Sequence, residues 1–423
     1  MKIAVIGSGI SGLACAYYLH REHDVHVIES QSRLGGHTAT VDVAVGGRRL
    51  AIDTGFIVYN DWTYPNFIAL LDELGVSSRD TQMGFSLSDV DSGLEYAGAS
   101  LNSLFAQRRN LVSPSFLGMI RDILRFNREA IEDLEAGRVH ETLTLGEYLQ
   151  ERRYSKKFID YYLIPMGSAI WSADTPIMMD FPLTFFVRFF ANHGLLSLKK
   201  RPQWRVIEGG SREYIRPLTV GYEQNIRLDT RVKYVRRDED GAVLVFSDGV
   251  EERFDTVVFS CHSDQALELL SDPSNAEKQV LSGIPYQEND VVLHTDTRLL
   301  PRNPRTWSSW NYRRDSSTER ATLTYNMNIL QGLEASETFC VTLNDSALIN
   351  PHKVLGQFNY SHPVFSLQSL QAQGRWGEVS NGTTWYCGAY WGNGFHEDGV
   401  VSALRAAKGI QAQTATQAHG QAA

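Results

Sequence analysis

Only four cysteines occur in 423 residues, Cys15, Cys261, Cys340 and Cys387, and no two share a C-x-x-C spacing. That excludes a disulfide framework and a cysteine metal knuckle, and it points to reduced thiols in a cytoplasmic compartment. No apolar stretch reaches the roughly 18 residues that a membrane-spanning helix needs. A soluble chain is expected, with at most peripheral contact at the inner membrane. Lys2 and the apolar residues behind it imitate a leader, but Gly7, Gly9 and Gly12 break the run. Basic charge is short as well: the net charge is −9, which leaves no basic face for a nucleic-acid partner. No internal repeat is visible. What remains is ordinary, with 43% hydrophobic and 21% charged residues and enough length for two buried cores.

The opening is less ordinary. Ile3 to Ile6 reads as a buried parallel strand, and Gly7-Ser8-Gly9-Ile10-Ser11-Gly12 follows in G-x-G-x-x-G spacing. Leu13 to His20 then continues as an apolar helix. Each glycine has a reason: Gly7 for the tight turn, Gly9 for backbone approach to a pyrophosphate, Gly12 for helix–strand packing. The helix N-terminus offers unpaired N–H groups to phosphate. A second strand, Asp24 to Ile28, ends in Glu29, 20 residues after Gly9 (29 − 9). A carboxylate there accepts hydrogen bonds from ribose hydroxyls and disfavours a 2′-phosphate. The pattern predicts a dinucleotide site.

Three further segments select the dinucleotide. Ser30 and then Arg33-Leu34-Gly35-Gly36-His37-Thr38 follow the acid, and Asp53-Thr54-Gly55-Phe56-Ile57 follows a short hairpin. Near the other end, a strand from Trp385 leads to Tyr390 and Gly394-Phe395-His396-Glu397-Asp398-Gly399, then a helix to Ile410. Together these resemble the flavin amine oxidase superfamily, in which the cofactor is FAD. His37 stands where that superfamily usually has arginine. The resemblance implies a glutathione-reductase-like, Rossmann-type FAD-binding α/β domain with an interleaved α+β substrate domain. It also implies that Gly35, Gly36, Thr54, Gly55, Phe56, Ile57 and Gly394 to Glu397 border the flavin half. The backbone of Val232 would contact the adenine, Ser260 would end a strand at the cofactor edge, and Tyr390 and Trp391 would flank the ring system. Some amine oxidases attach FAD through a cysteine near Cys387. A small residue in a buried strand explains Cys387 as well, so FAD is expected to be non-covalent.

The segments Asp53 to Asn60, Gly167 to Ser172, Arg201-Pro202-Gln203-Trp204 and Gly394 to Gly399 resemble one narrower family of FAD-binding proteins. That family includes the N-terminal region of plant cyclopropane fatty acid synthases. The likeness implies a fatty acyl or phospholipid-bound substrate and a lipid methyltransferase or cyclopropane synthase as partner. The reaction expected is dehydrogenation of an unactivated or methyl-branched acyl chain. Alternatives are a flavin-dependent isomerase of unsaturated lipid or carotenoid, an amine oxidase-like enzyme, and a non-catalytic flavoprotein partner of the methyltransferase.

The superfamily's amine oxidases hold a water with a strand lysine, yet no lysine occurs between Lys278 and Lys353. Amine oxidation is therefore disfavoured. His294 and Asp296 share a strand face by alternation and form a candidate acid–base pair, and His396 is a second candidate base. Phe181, Phe185, Phe186, Phe189 and Phe190 recur at helical spacing ahead of His193, as a core stripe or as the wall of an acyl tunnel. Trp307, Trp310 and Tyr312 are further candidates to close the flavin end. Arg108-Arg109 and Lys199-Lys200-Arg201 flank apolar segments and are candidates for touching anionic headgroups. Periodicity divides the chain into FAD-binding parts at 1–59, 201–284 and 371–410. A mostly helical substrate part spans 60–200, an antiparallel part spans 285–370, and a disordered tail covers 411–423. Helices are expected in Thr63 to Leu74, Ser115 to Leu134, Leu145 to Arg152 and Pro182 to His193. Strands are expected in Arg227 to Arg237, Ala242 to Phe246, Thr256 to His262, Val291 to Leu300, Arg320 to Asn328 and Glu337 to Leu343.

Overall fold

The computed structural model describes every residue except Leu198, Glu319, Ala422 and Ala423, with the side chains of 417–421 also outside the description. Two sheets organise the chain. The first is five-stranded and parallel, in the order Ile226–Arg227, Asp24–Ile28, Lys2–Ile6, Thr256–Phe259, Thr384–Tyr386. Its strands come from four distant parts of the sequence, so the termini meet in one layer. Ile3 to Ile6 and Val257 to Phe259 are apolar throughout because both faces of a parallel sheet are covered. One cover is the helix Ile10–Leu19 packed on His396–Gln421, where Ala14, Ala403, Ala406 and Ala407 allow close approach. The other is an antiparallel sheet of Val232–Asp238, Gly241–Phe246 and Glu251–Phe254.

The second sheet is mixed and seven-stranded. Its order is Val354–Pro363, Tyr286–His294, Cys340–Leu343, Leu323–Asn326, Trp310–Arg314, Phe85–Asp89, Glu95–Ala97. The helices Pro114–Glu135, Leu145–Glu151, Ile164–Trp171 and Leu183–Asn192 share a core with its Phe85 end. All four helices expected in residues 60–200 form, within two residues at each end.

Several expectations shift. The segment 60–200 is not purely helical: Phe85–Asp89 pairs in parallel with Trp310–Arg314, and Ser78–Thr81 pairs with Trp204–Ile207. Both strands are short and polar and gain their partners from more than 100 residues away. The strand expected from Arg227 to Arg237 breaks at residues 228–231, where Asp229 takes φ +50° and the chain leaves one sheet for the next. The strand expected at Val291 begins at Tyr286 and ends at His294, because Asp296 caps the turn Thr297–Leu299. The closing helix does not stop at Ile410. It continues to Gln421, as good helix-forming Ala and Gln residues allow, and only its last residues lie outside the description.

One buried ion pair joins three elements. Arg237 of the strand Val232–Asp238 donates to Glu277 of the helix Asn275–Ser282, which also accepts from Tyr386 Oη at 2.8 Å and the Ser274 N–H at 2.8 Å. Burial works against ionisation of Glu277, but Arg237 and these donors hold it down at about 2, against an ordinary 4.5. Glu277→Gln should lower stability by about 2 kcal/mol in thermal or urea unfolding at neutral pH, since it leaves the mostly buried Arg237 with Asp272 as its one carboxylate partner among the described residues. With the folded value depressed, the pair's contribution is full above pH 4.5 and is lost as pH falls toward 2. The variant and the parent should therefore converge in stability as acid is added.

Candidate active site

The first strand, its turn and its helix build a phosphate cradle. Gly7 takes φ +104°, and its N–H donates to the Ile28 carbonyl at 2.9 Å. A Cβ on Gly12 would lie 2.1 Å from the Gly7 carbonyl oxygen, so only glycine lets the helix start against the turn. Gly9 caps that helix, and a Cβ there would meet nothing within 4 Å. The space over Gly9 is thus open, as a passing pyrophosphate requires. Ser8 is buried and donates through N–H (2.9 Å) and Oγ (2.7 Å) to Glu29, whose other oxygen accepts from the Gln31 N–H and Ser30 Oγ. Glu29 therefore sits against the glycine turn with its carboxylate held by the loop. Ile10 and Ser11 are buried in the first helical turn.

The second loop lies across this cradle. The Gly35 N–H donates to the Ser8 carbonyl at 2.9 Å, and Arg33 braces the turn by donating to the carbonyls of Gly36 (2.8 Å) and Thr38 (3.1 Å). The Gly55 position has no room for a Cβ, which would come within 2.1 Å of the His37 carbonyl oxygen. His37 lies among Tyr360, His362 and His262, with ring centroids 5.1, 5.5 and 6.0 Å away. Burial pushes its pKa down to about 4, and its Nε2 is enclosed without a hydrogen-bond partner. Thr54 Oγ1 meets Tyr360 Oη at 2.9 Å, which ties this loop to the second sheet.

The C-terminal loop closes the arrangement. Gly394 takes φ +92°. The carboxylate of Asp398 accepts from the Phe395 N–H at 2.9 Å and from Asn393 Nδ2 at 3.2 Å, and burial raises its pKa to about 6. The carboxylate of Glu397 accepts from the N–H groups of Asn66 (3.1 Å) and Phe67 (2.8 Å) and from Asn66 Nδ2 (2.6 Å), at the N-terminus of Pro65–Glu73. A carboxylate is well placed there, facing free N–H groups and a positive dipole end.

A cavity of about 1060 Å³ opens from this loop. Phe395, Phe189, Phe185 and Pro182 line it with Leu367 and Leu370, and Trp62 and Leu134 stand farther along the wall. On the helix Leu183–Asn192 the lining positions are Thr184, Phe185, Arg188, Phe189 and Asn192, a single face at helical spacing. Phe181, Phe186 and Phe190 point the other way into the core at 0 to 1% exposure. The phenylalanine stripe thus serves as core on one side and as cavity wall on the other. His193 also lines the cavity: its Nδ1 faces the Phe189 carbonyl at 2.9 Å and its Nε2 meets Thr63 Oγ1 at 3.1 Å. Burial lowers its pKa to about 4. His193 is the one imidazole on this wall among the described residues.

Several candidates from the sequence fall elsewhere. His294 is buried in the second sheet, its Nε2 on Thr342 Oγ1 at 2.7 Å and its Nδ1 accepting the Asp296 N–H at 3.0 Å. Eight residues separate it from Tyr286, which stacks on His262 at the cleft (4.3 Å), so it lies about 27 Å down the strand. Asp296 is committed to Arg298 and the Asn350 N–H. The two do not form an acid–base pair because the strand ends between them. His396 is sealed behind the cradle, stacked on Phe56 at 3.4 Å with Nε2 at 3.1 Å from both Thr38 Oγ1 and Tyr214 Oη. It does not line the cavity. Ser260 Oγ donates to the carbonyls of Ile6 (2.8 Å) and Gly7 (2.7 Å), holding the turn from behind. Val232 and Ile57 are buried in core clusters, which leaves only their backbone to face a ligand. Tyr390 is 3% exposed and packs near Tyr286, and neither it nor Trp391, Trp307, Trp310 or Tyr312 lines the cavity. The aromatic side chains that do line it are Trp62, Tyr64, Phe185, Phe189 and, on the glycine loop itself, Phe395. Cys387 is buried against Cys15, whose contact and the surrounding burial raise its pKa well above that of an ordinary thiol.

A glycine cradle with Glu29 held against its turn, closed by a helix from the far end of the chain, fits an FAD-dependent oxidoreductase. The chain belongs to the flavin-containing amine oxidoreductase family, whose sequence profile matches residues 10–340. Solved structures share the fold. Putrescine oxidase bound to putrescine superposes with a TM-score of 0.70 at 16% identity, covering 97% of this chain and 99% of the other. Cyclohexylamine oxidase from Brevibacterium oxydans gives 0.67 at 16% identity, with 98% and 99% covered. A fatty acid isomerase from P. acnes, described as producing CLA, gives 0.68 at 14% identity, with 95% and 96% covered.

Gly12→Val should drive the first helix off its turn and weaken FAD retention at least about tenfold. The ratio of flavin to protein absorbance after purification checks this. Ser260→Ala, which removes only a brace, should keep most of the flavin.

Proposed function

We propose that this chain dehydrogenates a fatty acyl chain, methylated or phospholipid-bound, in a cavity that ends at the Gly394–Phe395 loop, with FAD held non-covalently along the glycine cradle. The observation that carries this reading is the cavity's inner end. Phe185, Phe189 and Phe395 supply an apolar, aromatic floor, while Glu397 and Asp398 already spend their acceptor capacity on nearby donors. An ammonium substrate would find no uncommitted carboxylate there, and an acyl chain needs none. The narrower likeness to the N-terminal region of plant cyclopropane fatty acid synthases supports the same substrate class. It also supports a lipid methyltransferase as a partner.

Bound FAD supplies the two-electron acceptor chemistry. The chain's own residues do the rest. The N–H groups in the first turn of the helix Ile10–Leu19, beside Gly9, would face the pyrophosphate, Gly7 and Gly12 would hold the turn that aims them, and Glu29 would accept from the ribose in place of Ser8. The phenyl rings of the cavity align the acyl chain and exclude water. One hydrogen leaves the substrate with its electron pair; the other leaves as a proton to His193 Nε2. That nitrogen is the basic one, because Nδ1–H is oriented toward the Phe189 carbonyl. The burial that lowers its pKa keeps the imidazole neutral at physiological pH and so ready to accept.

His193→Gln should slow anaerobic bleaching of the flavin by an acyl substrate about 100-fold, the usual scale for a general base. FAD content should stay unchanged. Because the neutral imidazole is needed, the rate should be flat above pH 5 and fall as pH drops through about 4. An unchanged rate and profile would remove His193 from the chemistry. A second reading, lipid isomerisation, is favoured by the same apolar cavity and by the fold shared with the fatty acid isomerase. It predicts no lasting bleaching and a product of unchanged mass, where dehydrogenation removes two hydrogens.

A further inference from the structure

Apolar side chains left on the surface concentrate in one place. Leu101 is 75% exposed and Val112 81%, and Leu111, Leu117 and Leu124 are exposed beside them. Leu101 opens the short helix Leu101–Leu104, Leu111 and Val112 end the turn Arg108–Val112, and Phe105 packs on Phe116, so these pieces abut the start of Pro114–Glu135. Along that helix the outward positions Leu117, Arg121, Leu124 and Arg128 follow at spacings of four, three and four, a single stripe of alternating leucine and arginine.

Basic side chains dominate the first part of this face, and only toward its far end do they meet acids, where Arg125 reaches Glu129 and Arg128 reaches Glu129 and Glu132. Residues 101–128 hold five arginines, at 108, 109, 121, 125 and 128, and one acid, Asp122. The Asp122 side chain is 3% exposed and turned inward toward Arg125. Arg108 and Arg109 are exposed between the apolar tips. In a protein of net charge −9, a basic and apolar face stands out from its surroundings.

We propose that this face, from Leu101 through Arg128, lies on an anionic lipid bilayer. Leu101, Leu111 and Val112 would enter the headgroup–acyl boundary, and the arginines would reach phosphates along their apolar stems. The helix Pro114–Glu135 would then lie flat, about 33 Å long, with its far end at the cavity, where Leu134 and Gly137 are part of the wall. A chain drawn from the bilayer would meet the cavity mouth without crossing bulk water. No helix among the described residues is long and apolar enough to span a membrane, so the contact is on the surface. The proposal stands apart from the acyl reading of the cavity, because docking can be measured without turnover.

The test uses the full-length, FAD-loaded protein and vesicles of phosphatidylcholine with or without phosphatidylglycerol. Wild type should co-sediment with the phosphatidylglycerol vesicles and release at high salt, which shortens the Debye length to about 3 Å at 1 M. The double variants Leu101→Ser/Val112→Ser and Arg108→Gln/Arg109→Gln should each bind roughly tenfold more weakly, near the scale of 1 kcal/mol per basic residue. Leu228→Ser, an exposed leucine elsewhere, should bind as wild type does. All four changed side chains are exposed, so the flavin spectrum and melting temperature should not move. No binding to phosphatidylglycerol vesicles, or equal binding by both double variants, would overturn the proposal. Loss of acyl turnover with docking intact would instead overturn the reading of the cavity.

Discussion

The whole arrangement hangs on a missing Cβ at Gly12. The helix Ile10–Leu19 starts where it does because nothing but a hydrogen stands between it and the Gly7 carbonyl. That contact aims the helix N-terminus over Gly9, presses Ser8 against Glu29 and leaves a face on which His396–Gln421 packs through alanines. The closing helix in turn positions Phe395 and Glu397. A change of one methyl group at residue 12 would therefore be felt nearly 400 residues later in the chain. Close packing transmits such strain because the surrounding side chains have no slack.

Buried carboxylates do the corresponding work between layers. Asp53 accepts from the Ser211 N–H and Oγ, from Thr40 Oγ1 and from Gln331 Nε2, drawing the second loop, the turn at Gly210 and the second sheet together. Burial pushes its pKa to about 6 in spite of these donors. Glu397 clamps Pro65–Glu73 to the closing helix, and Asp398 shapes the glycine loop itself. Glu397 and Asp398, which line the cavity, are thus structural, while Glu141 is exposed on the same wall.

How much of this was legible in the sequence depended on distance along the chain. The glycine cradle and Glu29 are local, and their spacing predicts the turn and the second strand as found, while the helix begins at Ile10, three residues before the expected Leu13. The helices of residues 60–200 were equally readable, since 3.6-residue periodicity is a local signal. The strand Phe85–Asp89 was not, because its alternating run, Phe-Ser-Leu-Ser, is only four residues long and one of its two partners lies 225 residues away. Alternation also misled at His294 and Asp296: the strand ends at His294 and Asp296 caps the following turn, so the two share no strand face, and alternation could not say which end of the strand meets the cleft. His193 was visible only as the residue after a phenylalanine stripe. Its spacing of one turn from Phe189 was the signal that it shares the cavity face.

The division of that stripe carries the functional argument furthest. On one helix, Phe186 and Phe190 stack on each other at 4.1 Å in the core, while Phe185 and Phe189 stack outward on Phe365 and Phe395. A helix apolar on both faces must be covered on both, and here the second cover is the glycine loop at the end of the FAD-binding sheet. The cavity is consequently not an insertion into a finished domain but the gap left where two cores, each with its own sheet, fail to close completely. Its walls carry phenyl rings from both cores beside the glycine loop, together with polar side chains such as Arg188, Asn192 and Glu141. That aromatic inner end is what the acyl reading proposed above rests on.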